Sequence, residues 1–167
     1  MSLMSAQNRL PEVVEEVFRH SWILLVLVTS ANGLIWWIRS KKFVRARPEL
    51  LPGYRKLVRG WLVWANLPWL VMGVGSTVGG IPSGLHIFRP LDADPFVLAW
   101  WASVVLIWIM GTFWLFTGGA EELSEHPGLL NPMFGGNSPG PRMIKVMWCA
   151  CLLGGVLGTV MCVFRTA

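Results

Sequence analysis

The sequence predicts an all-α fold: an integral membrane bundle of four transmembrane helices, with an amphipathic helical extension at the N-terminus, in one domain over residues 1–167. Three observations carry that expectation. Four apolar stretches, at about 21–38, 60–80, 96–116 and 143–164, each reach about 27 Å or more at 1.5 Å per residue, enough to cross a hydrocarbon core with little tilt. Only 14% of the residues are charged and the mean hydropathy is +0.55, whereas about a quarter of a soluble domain is charged. Finally, eight basic residues crowd one short stretch between the first two apolar segments.

The N-terminal extension is predicted from about residue 10. Leu10, Val13, Val14, Val17 and Phe18 recur at helical spacing, with Glu12, Glu15, Glu16 and Arg19 between them. Pro11 suits a first helical turn, and acidic residues suit the positive end of a helix dipole. Such a helix lies on a membrane surface or runs straight into the first span. The first span opens with Trp22 and closes with Trp36–Trp37, as in an interfacial aromatic belt. Its basic flank follows the apolar segment, opposite to a secretory leader, so a retained helix is expected.

The basic loop is expected over 39–59. It holds Arg39, Lys41, Lys42, Arg45, Arg47, Arg55, Lys56 and Arg59, opposed only by Glu49, and Pro48 and Pro52 interrupt it. A basic loop between apolar spans marks the cytoplasmic side and meets anionic lipid headgroups. With the charge placed there, nucleic acid is not an expected partner. The second span contains Asn66 and Pro68, which predicts a kink near Ala65. The next loop, 81–95, has Arg89 as its only Lys or Arg, and so belongs outside. The third span is flanked by Trp100–Trp101 and Trp114. The loop over 117–142 is too rich in Gly and Pro to hold regular structure for long. Ten of the fourteen Lys and Arg then fall on the inner side, which predicts an inner (plasma) membrane protein with both termini outside.

Chemistry is sparse. No Asp, Glu, Lys, Arg or His lies near the middle of a span, where pumps and ion-coupled transporters need one. Asn32, Asn66 and Thr112 are expected at one level, as interhelical hydrogen bonds or as a polar constriction. Glu121, Glu122, Glu125 and His126 could share one helical turn and are the candidate metal ligands; the plainer reading is an acidic turn that pairs with the basic loop. His20 and His86 sit near the outer face, where interfacial hydrogen bonding is expected. Cys149, Cys151 and Cys162 lie in the last span and read as small apolar residues. Two small-residue stripes, Gly75–Gly79 and Ala150–Gly154–Gly158–Cys162, predict close helix packing, within the chain or with another.

No Walker, G-x-S-x-G or C-x-x-C pattern is present. The expectation is therefore a non-catalytic structural or accessory subunit without cofactor. It should form a homo-oligomer or associate with partner membrane subunits. The alternative is a small homo-oligomeric channel or permease lined by Asn32, Asn66 and the threonines.

Overall fold

The computed structural model describes residues 17–81, 84–130 and 139–166, and these are helix and turn throughout. Four helical rods are long and apolar enough to cross a membrane. Most of the predicted N-terminal amphipathic helix lies outside the described residues.

The first rod, α1, spans Ser21–Ala46. Its 26 residues reach roughly 39 Å. The expected loop over 39–59 is thus corrected: residues 39–46 continue α1. Hydropathy reports where apolar surface ends, and Lys, Arg and Ala still favour helix beyond that point. Pro48 ends α1 by forcing Arg47 out of the helical region, to φ −142° and ψ 84°. A single 3₁₀ turn, Pro48–Leu50, leads into α2, Leu51–Trp64. The basic stretch is therefore two helix ends joined by four residues.

The second rod breaks where the sequence predicts it. Helix α2 stops at Trp64, two residues turn, and α3 runs Leu67–Thr77 with Pro68 in its first turn. Gly80, at φ 69°, closes α3, and the Ile81 N–H returns to the Gly75 carbonyl. The third rod begins with α4, Pro95–Trp114. The Asp94 carboxylate caps it, accepting from the N–H groups of Phe96 (2.8 Å) and Val97 (3.3 Å). A wider turn over Leu115–Gly119, with Gly118 at φ 128°, leads into α5, Ala120–Glu125. The expected irregular loop is therefore helical at its start. The last rod, α6, spans Pro141–Thr166.

Neighbouring rods close on glycine. Gly33 of α1 faces Trp61 and Leu62, Gly73 of α3 faces the Trp22 ring, and Gly75 and Gly79 face Phe96. The expected Gly75–Gly79 stripe is thus used inside the chain. Helices α4 and α6 interlock through two notches of opposite sense: Trp148 sits on Gly111, and Trp108 sits on Gly155. One buried cluster gathers Met72, Ile81, Ile87, Val97 and Trp100, toward the glycine-rich end. Two more lie at the basic end, around Tyr54, Leu57 and Leu129, and around Leu115, Ala120 and Ile144. Outward faces stay apolar: Leu24, Leu27 and Val28 on α1, Ile109 and Phe113 on α4, and Leu153 and Met161 on α6 are all exposed.

Candidate functional site, an apolar cavity at the basic end

Between the packed clusters the rods do not close. A cavity of about 630 Å³ lies among α1, α2, α4 and α6. Five indoles wall it: Trp36, Trp61, Trp64, Trp114 and Trp148. Trp36 and Trp61 pack together with centroids 4.6 Å apart, and the Trp61 Nε1–H donates to the Thr29 carbonyl. The Trp148 Nε1–H donates to the Thr112 hydroxyl at 2.9 Å, and that hydroxyl donates to the Trp108 carbonyl at 2.6 Å. Both indoles are thereby oriented and their polar edges satisfied, leaving ring carbon toward the space. Gly60 also lines the cavity, and nothing lies within 4 Å of where its Cβ would be. Lys56 is the one charged residue among the described lining residues. Trp64, Met110 and Cys151 line the cavity and are themselves exposed, so it opens sideways between the rods.

A tuck of chain seals the basic end. The Tyr54 hydroxyl donates to the Pro127 carbonyl at 2.6 Å, and the His126 ring stands edge-on to Tyr54. His126 Nδ1 lies 2.6 Å from the Glu122 carbonyl. Gly53 touches the far side of the same ring, and Gly128, at φ 94°, receives Phe43. Two ion pairs brace the mouth: Lys56–Glu122 and Lys145–Glu121, both at 2.8 Å.

The structure separates several residues that the sequence grouped. Asn66 is buried, and its amide donates to the Ser30 hydroxyl (3.3 Å) and the Leu62 carbonyl (2.8 Å). Asn32 is exposed. Thr29, Ser30, Gly33 and Trp36 share the face toward α2, and Asn32 falls at the border of that face, about 90° from its centre. Thr112 instead binds Trp148. Asn32, Asn66 and Thr112 therefore do not form one polar layer.

The acidic cluster is likewise divided. Glu121 and Glu122 each hold a lysine, and His126 is wedged among Gly53, Tyr54 and the Glu122 backbone. Among the described residues no group of three His, Cys, Asp or Glu stands close enough to hold a metal. His20 precedes α1, and His86 lies in the 3₁₀ turn Gly84–Phe88. Ala150, Gly154 and Gly158 face outward on α6, with no atom within 4 Å of a Cβ at either glycine. Cys149 and Cys151 are exposed free thiols. The Cys162 side chain lies outside the described residues.

No family model, curated protein or solved structure matches this chain. What it can do must be read from its own surfaces. The cavity offers hydrocarbon, indole faces, one amine and one thiol. Those groups can hold an apolar molecule, and they supply no paired acid and base.

Sequence reading missed the cavity walls. Trp36 and Trp114 read as interfacial belt, although both line the space. No pattern along the chain marks a void, because it depends on how separate rods fail to meet.

Proposed function

We propose that this chain is a non-catalytic structural or accessory subunit of an inner (plasma) membrane assembly. Its basic end faces the cytoplasm and both termini lie on the other side. The observation that carries the reading is the outer face of α6. Each glycine that faces a rod of the same chain (Gly33, Gly73, Gly75, Gly79, Gly111, Gly155) is filled by a neighbouring side chain. Gly154 and Gly158 are not. A small-residue stripe of that kind lets a further helix approach closely in lipid, from a second copy or a partner membrane subunit.

Other observations point the same way. Large apolar side chains cover the outer faces of the rods, as expected where lipid replaces water. Ten Lys and Arg gather at one end, against four Glu, and basic ends stay inside and meet anionic headgroups. The channel reading has less support: Asn32 is exposed, Asn66 is engaged with Ser30, and the cavity wall is apolar.

The test is the mass of the detergent-solubilised assembly, with co-purifying chains identified. The wild-type chain should run as an oligomer or with partners, and the pair Gly154→Leu with Gly158→Leu should reduce it to the single chain. A wild-type chain that is monomeric and alone would overturn the reading. Conductance in liposomes that Asn66→Leu alters would restore the channel.

A further inference from the structure

We infer that the cavity seats an acyl chain of an anionic phospholipid, with the lipid phosphate at Lys56. The inference rests on the membrane placement above and adds a ligand to it. Where glycine faces another rod, at Gly33, Gly73, Gly75, Gly79, Gly111 and Gly155, a neighbouring side chain fills the notch. Here Gly60 faces open space, and about 630 Å³ stays unfilled. That volume falls within the roughly 300–1,000 Å³ of small-molecule sites. An empty space forfeits dispersion contacts along its whole lining. Water gains little from a wall that is almost wholly carbon and in which two of the five indole N–H groups, at Trp61 and Trp148, are already engaged. Hydrocarbon satisfies both conditions. The exposed edge at Trp64, Met110 and Cys151 gives a lipid chain a sideways entry from the bilayer.

Charge selects the headgroup. Lys56 lines the cavity at its basic end, and its side chain is 65% exposed. Its ammonium holds Glu122 and keeps further donors for a second oxygen. Arg59, one turn further along α2, lies outside this cavity beside Trp37, Arg55 and Val58; ten Lys and Arg stand at this end of the molecule against four Glu. The two ion pairs at the mouth cancel in net charge, and a phosphodiester with one net negative charge complements the positive excess of the basic end around them. A zwitterionic headgroup brings its own cation to the basic residues, and a neutral isoprenoid makes no use of Lys56.

Native mass spectrometry of the full-length chain in mild detergent tests the site. Phosphatidylglycerol and phosphatidylcholine with identical acyl chains are the probes. The wild type should retain about one phosphatidylglycerol per chain, as for a single built site. It should favour that lipid about fivefold, the ratio that roughly 1 kcal/mol per lysine near a lipid surface corresponds to. Gly60→Phe places a ring in the open space and should abolish retention. Ala65→Leu, which fills the same cavity from the turn after α2, should weaken retention and serves where the first variant does not fold. Lys56→Gln should keep the tail and bring the two lipids to parity. Equal retention of both lipids by the wild type overturns the inference, as does unchanged retention in the folded filling variants. Alkaline washing of membranes reads the placement separately. A chain that stays in the membrane yet retains no phosphatidylglycerol refutes the site alone, and a chain that is released refutes both.

Discussion

Gly53 is set by the ring it faces. The His126 imidazole is buried, held at the Glu122 carbonyl on one nitrogen and edge-on to Tyr54, so it has nowhere to retreat from an added methyl. Gly53→Ala should therefore lower stability by about 1–3 kcal/mol, as overpacking does. Gly60→Ala, two turns along the same helix with open space beside it, should raise stability by up to about 1 kcal/mol. Tyr54→Phe removes the hydroxyl bond to Pro127 and should cost about 1 kcal/mol. Thermal unfolding in detergent, followed by circular dichroism, ranks the three, and equal midpoints for the two glycine variants would mean that the tuck does not form. The helical spacing of Glu121, Glu122 and Glu125 was legible in the sequence. The counter-ions of Glu121 and Glu122 were legible only as a charge balance, because Lys145 and Lys56 come from other rods. Gly53 gave no sign of its role, since a glycine beside a proline reads as a turn.

At the scale of the element, α6 puts two adjacent glycines to opposite uses. Gly155 receives the Trp108 ring and Gly154 meets nothing. Gly155→Leu should wedge α4 from α6 and lower the unfolding midpoint, by about 1–3 kcal/mol in stability. Gly154→Leu should leave the midpoint of the isolated chain within about 0.5 kcal/mol of wild type, as exposed substitutions do. The reverse order would show α6 turned the other way. The four-residue recurrence of small side chains was visible in the sequence, but nothing in it told which stripe faces home. The break at Ala65 was legible because Pro68 carries no N–H. The length of α1 was misread because apolarity ends at Ile38, whereas the helix runs on to Ala46, two residues before Pro48.

The whole molecule was legible at the level of its four rods, because length and unbroken apolarity identify such helices without knowledge of their contacts. The proposed sidedness, with the basic end inward, can be checked in a background lacking Cys149, Cys151 and Cys162. Lys42→Cys should react with a membrane-impermeant maleimide only after the inner face is opened, and Leu91→Cys should react in intact cells. Labelling of Lys42→Cys from outside would invert the arrangement. Where the rods touch was not legible, and that is what decides which surfaces remain open.

The relay from the Trp148 indole through the Thr112 hydroxyl to the Trp108 carbonyl, with its two opposed notches, locks α4 and α6 lengthwise. A shift of one turn, about 5.4 Å, would break the relay and drive both rings out of their seats at once. Piston travel of α6 is thereby blocked, while tilting about the notches leaves them engaged.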